Sequence, residues 1–117
     1  MPEVGDEQAG FAVEFHRETN TIRVRAWGFW GVEVAKQFCD VVLAESAMSQ
    51  RGAVMTMDMR NLKPMRDEGQ QSFAKLVAAL RTMRVNEVSV QTKSPLTKLQ
   101  LQRIVTEQHG QDQVQFV

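Results

Sequence analysis

The chain has 117 residues, the length of one ordinary domain, and 43% of them are hydrophobic. Its 14 basic and 14 acidic residues cancel, so it lacks the excess positive charge with which nucleic-acid-binding domains hold phosphates. We therefore expect no nucleic-acid partner. Because a chain without net charge does not repel a second copy of itself, a homodimer is compatible with this composition.

The first ten residues, MPEVGDEQAG, combine Pro2, Gly5 and Gly10 with several acidic residues and predict a flexible tail over residues 1–10. They lack the basic start and apolar stretch of a signal peptide, and no later segment approaches the run of about 18 apolar residues that spans a membrane. The single cysteine has no partner in the chain for a disulfide, which is typical of a reducing compartment. We expect a cytoplasmic protein with one domain over residues 11–117.

Two alternating segments open that domain. Residues 11–16 (FAVEFH) and 21–29 (TIRVRAWGF) alternate apolar and polar side chains. A short polar turn at Thr19 and Asn20 joins them, so the pair predicts an antiparallel hairpin. Over residues 32–48 the apolar residues instead recur at steps of three and four, which predicts an amphipathic helix.

The second half of the chain alternates strands with helices. Residues 53–59 (AVMTMDM) form an almost continuous apolar run, typical of a central strand buried on both faces. The order β-β-α-β-α-β-α-β predicts an α/β fold with a mixed sheet of about five strands and helices packed against it. The remaining predicted elements are a helix from Asp67, a strand over 85–92, a third helix and a strand over 114–117. Ser94 is the predicted N-cap of the third helix. The apolar residues of this helix are Leu96, Leu99, Ile104 and Val105.

This element order resembles the STAS domain, the fold of bacterial anti-sigma factor antagonists and of the cytoplasmic tails of sulfate transporters, over residues 11–117. The most local match is DMRNLKPMRDEGQQSFAKL, residues 58–76. Asp58 stands where the family has an aspartate ending the central strand, and Met65 matches the apolar residue before the family motif. The four residues from Arg66 stand where the family has Asp-Ser-Ser-Gly.

Only Gly69 matches that motif by identity. In antagonists of the family a partner kinase phosphorylates the second serine, and Glu68 occupies its position here. The resemblance therefore implies a regulatory protein-interaction module without the phosphoacceptor. Glu68 is at most a partial mimic of phosphoserine, because a carboxylate carries one charge and a phosphate nearly two.

The loop from Asp58 to Gly69 leaves the carboxyl end of a strand and enters a helix, at the edge where open α/β sheets bind ligands. Its charged residues predict a recognition surface for a protein partner. The competing interpretation is a solvated loop whose acidic residues stabilise the start of the helix. The predicted partner-binding residues are Asp58, Arg60, Lys63, Arg66, Asp67, Glu68, Gly69 and Ser72.

Aromatic residues after the second strand suggest an alternative function. Adjacent residues in a strand point to opposite sides, so either Phe29 or Trp30 is expected to be exposed unless the strand has already ended. Together with the methionines they would line an adaptable pocket for a small apolar ligand or lipid, and core packing is the competing interpretation. The residues of this predicted apolar pocket or interface are Phe29, Trp30, Met65 and Phe73.

The sequence carries no recognisable catalytic or metal-binding pattern. His16 and His109 are far apart, and neither has a cysteine or histidine at ligand spacing, so we predict no metal site. Cys39 has no base placed to activate it, and we interpret it as a buried thiol. Phosphate-binding glycine loops and nucleophile motifs are also missing, so we expect a non-enzymatic protein with no cofactor.

Overall fold

The computed structural model describes residues 2–83 and 85–117. It confirms the α/β class and the mixed sheet. The elements in chain order are β1 (Glu3–Gly5), β2 (Gly10–His16), β3 (Thr21–Gly28), α1 (Val32–Ser46), β4 (Ala53–Leu62), α2 (Asp67–Leu80), β5 (Val85–Thr92), α3 (Pro95–Glu107) and β6 (Val114–Phe116).

The order of the strands in the sheet follows their order in the chain, from β1 to β6. β1 to β3 pair antiparallel, and β3 to β6 pair parallel. Each parallel step needs a crossover, and α1, α2 and α3 supply the three crossovers in turn. The three crossovers run in the same direction across the sheet, and crossovers between parallel strands are right-handed. The three helices therefore cover the same face of the sheet.

The opposite face of the sheet, called here the open face, presents Glu14, Arg23, Arg25, Thr56 and Asp58. These side chains alternate along β2, β3 and β4 with the buried ones, as the two-residue period of a strand requires. The open face is therefore polar and charged, and the apolar core lies entirely between the sheet and the three helices.

The central position predicted for residues 53–59 is confirmed, but the prediction that they are buried on both faces is wrong. Met55 and Met57 are almost completely buried against the helices. Thr56 between them is exposed, and Asp58 is half-buried. With the helices on one face, a central strand buries only every second side chain.

The N-terminal segment also differs from the prediction of a flexible tail over residues 1–10. Residues Glu3–Gly5 form a sixth strand that pairs with the start of β2. Gly5 has a φ of +98°, and a Cβ at this position would collide with the carbonyl oxygen of Ala9. The indole Nε1 of Trp27 donates a hydrogen bond of 2.7 Å to the carbonyl of Asp6. A glycine that permits the tight turn and a tryptophan distant in sequence thus hold this segment in place.

The third helix turns a different face to the core than its apolar pattern predicts. Thr97 and Leu101 are fully buried, whereas Leu96 and Leu99 are 64% and 62% exposed. The prediction that these two leucines lie on the buried face is wrong. Ile104 and Val105 are buried, as predicted. No helix within residues 2–83 and 85–117 has the length and hydropathy of a membrane span.

Candidate functional site

The loop between β4 and α2, residues 63–66, is fastened to its neighbours on two sides. The backbone N–H of Lys63 donates to the carbonyl of Gly28 at the end of β3 over 3.0 Å. On the other side, the side chain of Gln100 in α3 accepts a hydrogen bond from the Met65 N–H over 2.7 Å. The same amide donates to the Met65 carbonyl over 3.1 Å. The loop therefore has a defined position between β3 and α3.

Gly69 has a structural role that explains why a glycine stands there. It is buried in the first turn of α2, and a Cβ would approach the side chain of Met65 to 3.0 Å. A Cβ at this position would require the Met65 side chain to give way by a few tenths of an ångström. Gly69 was predicted to bind a partner, but the structure buries it beneath the loop.

Phe29 and Trp30 are neighbours in the chain with opposite environments, so the prediction that one of them is exposed is confirmed. Trp30 is 2% exposed, and its indole Nε1 donates to the Gly10 carbonyl over 2.9 Å. Phe29 is 47% exposed. The guanidinium carbon of Arg66 lies 4.9 Å from the centre of the Phe29 ring, which is the geometry of a cation–π contact.

Only one of the four residues predicted to form an apolar pocket or interface is accessible. Trp30 packs against the rings of Phe11 and Phe38 in the core. Met65 and Phe73 are also buried, at 5% and 1% exposure. The competing interpretation of core packing holds for these three, which leaves Phe29 as the exposed member of the predicted set.

Asp58 and Arg60 belong to the open face of the sheet. Arg60 binds both carboxylate oxygens of Asp58 through two hydrogen bonds of 2.9 Å. These hydrogen bonds lower the pKa of Asp58 below its ordinary value, against the opposing effect of partial burial, and the positive charge of Arg25 acts in the same direction. Asp58 lines a depression of about 380 Å³ with Arg23, Arg25 and Glu14. The structure thus separates Asp58 and Arg60 from the residues at the start of α2.

Glu68 and Ser72 point towards α1. Glu68 lines a small depression of about 140 Å³ between α1 and α2, together with Lys36 and Lys75. Ser72 is only 5% exposed, and its hydroxyl oxygen accepts a hydrogen bond of 3.0 Å from the backbone N–H of Cys39. Ser72, which was predicted to bind a partner, therefore joins two helices and is almost fully buried.

Cys39 is 4% exposed, in agreement with its interpretation as a buried thiol. Burial raises the pKa of this thiol above its usual value. The carboxylate of Asp40 adds to the increase, and the ammonium group of Lys75 opposes it. A thiol that is protonated and covered is a poor nucleophile.

Four exposed apolar residues lie at the carboxyl edge of the parallel strands, where the sequence predicts the charged loop and the aromatic pair Phe29 and Trp30. The described residues include five large hydrophobic side chains that are exposed. Phe29 follows β3, Leu96 and Leu99 lie in the first turns of α3 after β5, and Val117 follows β6. Met48, the fifth, follows α1 at the opposite edge. The two leucines were missed because the sequence pattern assigns them to the core.

Four of the predicted charged residues remain at this carboxyl edge. Lys63, Arg66 and Asp67 are exposed, and Glu68 is half-buried. Asp67 and Glu68 lie in the first turn of α2, where the positive end of the helix dipole stabilises carboxylates. Lys63 and Arg66 gain nothing from that dipole, so helix stabilisation explains the acidic pair but not the basic one.

Residues 2–83 and 85–117 contain no cluster of three or more histidine, cysteine, aspartate or glutamate residues that would hold a metal ion. No protein-family model, curated protein or solved structure matches this chain.

Proposed function

We propose that the chain is a non-enzymatic regulatory module that resembles STAS anti-sigma factor antagonists and binds a protein partner. The binding site is the edge surface, which we define as Phe29, Lys63, Arg66, Asp67 and Glu68. The order of helices and strands and the position of Gly69 support the resemblance.

The contact between Phe29 and Arg66 carries this proposal. An aromatic ring that is 47% exposed lies against an exposed guanidinium group. Arginine is among the residue types that contribute most to the free energy of protein association, and phenylalanine is enriched at protein interfaces. Because the loop that bears Arg66 is hydrogen-bonded to β3 and α3, a partner would not have to order it on binding.

Glu68 places a permanent single negative charge where the family has its phosphorylated serine. The side chain lies between α1 and α2, near Lys36 and Lys75, at the border of the edge surface. In this proposal the module binds its partner without a phosphorylation switch, because the glutamate that stands in place of the serine has no hydroxyl group to be phosphorylated.

Site-specific photocross-linking tests the proposal. A benzophenone amino acid at position 29 is expected to capture a partner protein in cells that produce the chain naturally. The matched control places the same amino acid at position 48, because Met48 is equally exposed at the opposite edge. The captured protein is identified by mass spectrometry and purified for binding measurements.

With that partner, the substitutions Phe29→Ala and Arg66→Ala are each expected to weaken binding by about tenfold or more, and Met48→Ala to leave it unchanged. Capture of the same proteins from both positions, or an affinity that Phe29→Ala and Arg66→Ala do not change, would overturn the proposal.

A further inference from the structure

Gln100 in α3 holds both backbone groups of Met65 with one side chain. Its amide oxygen accepts a hydrogen bond of 2.7 Å from the Met65 N–H, and its amide nitrogen donates one of 3.1 Å to the Met65 carbonyl. An uncharged amide carries a donor and an acceptor side by side, so it can satisfy both groups at once. Gln100 therefore binds this part of the loop much as a neighbouring strand would bind it.

A second glutamine completes the arrangement. The side-chain nitrogen of Gln70 in α2 also donates to the Met65 carbonyl, over 2.9 Å. The side-chain oxygen of Gln70 accepts a hydrogen bond from the guanidinium group of Arg103, which fixes the end of the amide that faces Met65. The Met65 carbonyl thus accepts hydrogen bonds from side chains of two different helices.

These hydrogen bonds fix the residue that directly precedes Arg66. The Met65 side chain is buried and lies beside Gly69, so Met65 is held by its side chain as well. The Arg66 carbonyl accepts a hydrogen bond of 3.0 Å from the Gln70 N–H, in the first turn of α2. With the backbone held on both sides, the direction in which the Arg66 side chain leaves the loop is set.

The Arg66 side chain depends on this backbone for its position. It is exposed, and the ion pairs found among residues 2–83 and 85–117 do not include it. Its guanidinium group lies over the ring of Phe29, but an exposed contact of this kind is weak and must offset the entropy of a long side chain. A small displacement of the loop is therefore sufficient to lose the contact.

We propose that Gln100 is a positioning residue for the edge surface. By holding Met65 it keeps Arg66 against Phe29, in the arrangement that the partner binds. The inference rests on the proposed function, since it adds to that site a residue of another helix that lies outside the edge surface. Gln100 acts through Arg66 and does not have to contact the partner.

Nuclear magnetic resonance tests the positioning without a partner. Protons of the Arg66 side chain that lie over the Phe29 ring are shielded by its ring current, so their signals lie upfield. Arg66→Ala identifies these signals by their loss, and Phe29→Ala gives their position in the absence of the ring.

Gln100→Leu retains a side chain of similar size but removes both the donor and the acceptor. It is expected to move the Arg66 signals most of the way to their position in Phe29→Ala. Gln102→Leu is the matched control, because it makes the same change at an exposed position of the same helix, and it should leave the signals where they are. Circular dichroism checks that both variants fold.

Gln100→Glu is a second test, which remains decisive if Gln100→Leu does not fold. The ionised carboxylate accepts a hydrogen bond from the Met65 N–H but has no donor for the Met65 carbonyl, whereas the protonated carboxyl group has both, as the amide does. The Arg66 signals of this variant should therefore return to their parent position as pH falls through the pKa of the new carboxyl group. The parent protein is measured over the same pH range, because Asp67 and Glu68 lie nearby. A side chain that only fills space would not produce this return.

The cross-linked partner tests the consequence for binding. Gln100→Leu is expected to weaken binding by about tenfold, and Gln102→Leu to leave it unchanged. Added to Arg66→Ala, Gln100→Leu should cause no further loss, because it acts through the side chain that is already missing.

Three results would overturn the inference: Arg66 signals that Gln100→Leu does not move, Arg66 signals of Gln100→Glu that do not return at low pH, or losses of affinity from Gln100→Leu and Arg66→Ala that add in full. If Arg66→Ala weakens binding and Gln100→Leu does not, the inference fails and the proposed function stands. If Gln100→Leu moves the Arg66 signals but neither variant changes the affinity, Gln100 still positions Arg66 and the proposed function fails.

Discussion

The hydroxyl of Thr97 donates a hydrogen bond of 3.0 Å to the backbone carbonyl of Leu62, and both residues are almost fully buried. The bond joins the first turn of α3 to the last residue of β4, where the loop towards α2 begins. Through this bond the buried hydroxyl of Thr97 has a hydrogen-bond partner in the core. By turning Thr97 inward, it is also consistent with the rotation of α3 that leaves Leu96 exposed.

Replacement of Thr97 by valine tests the contribution of this bond. The shape of the side chain is conserved, but the buried carbonyl of Leu62 loses its side-chain donor, so we expect a loss of about 1–3 kcal/mol in the free energy of unfolding. Thr97→Ser retains the hydroxyl and removes one methyl group, at a cost of about 1 kcal/mol or less. Urea denaturation measures both, and a valine variant as stable as the parent protein would show that the bond contributes nothing.

The hairpin formed by β1 and β2 provides a second prediction. Gly28 has a φ of +78°, and a Cβ there would collide with the Gln8 carbonyl. Gly28→Ala is therefore expected to lower the free energy of unfolding by about 2 kcal/mol or more, and to displace the hairpin from the sheet. Gly31→Ala is the matched control, because a Cβ at Gly31 meets no atom within 4 Å. Limited proteolysis should cleave near residues 5–9 faster in Gly28→Ala alone; equal cleavage in both variants would show that the hairpin does not depend on this glycine.

The ion pair of Asp58 and Arg60 predicts how stability depends on pH. Hydrogen bonds from Arg60 hold the folded-state pKa of Asp58 below the ordinary value, which is about 3.9 in an unfolded chain. The stabilisation is thus fully present above the unfolded pKa and is lost as pH falls towards the lowered pKa. Asp58→Asn removes this dependence, so its difference in stability from the parent protein should shrink between about pH 5 and pH 3.

Arg60→Gln should reproduce that behaviour, because it removes the donor that lowers the pKa. The effect is small, since Arg60 is exposed and its charge is screened by water. Denaturation at a series of pH values measures it. A difference between the parent protein and Asp58→Asn that stays constant over this range would contradict the assignment.

The accessibility of Cys39 provides a prediction that needs no partner. Burial covers the thiol and raises its pKa, so at pH 8 it should react with Ellman's reagent only when the fold opens. The control is the double variant Cys39→Ser/Met48→Cys, whose thiol stands at an exposed position and should react at once. Fast reaction of the parent protein, before addition of denaturant, would show that Cys39 is accessible.

The elements themselves follow from local patterns. Alternation in residues 11–16 and 21–29 predicted β2 and β3, and the helical spacing after Asp67 predicted α2. The N-cap of α3 is also local, and the Ser94 hydroxyl oxygen indeed accepts a hydrogen bond from the Thr97 N–H over 3.3 Å. Each of these signals is contained within a few residues, which is why one sequence suffices to detect it.

The tertiary structure decided which sides of those elements are covered. A run such as AVMTMDM does not show whether helices lie on one face of its strand or on both, and that depends on the direction of the crossovers. Leu96 and Leu99 match a buried stripe as well as Leu101 does, and only the packing of α3, with Thr97 hydrogen-bonded to β4, shows that these two leucines face outward. The predicted site was divided for the same reason: Asp58 lies on the open face, Ser72 lies between two helices, and only the residues at the carboxyl edge remain together. Local sequence determines the period of an element, whereas contacts between residues distant in the chain determine which of its faces meets water.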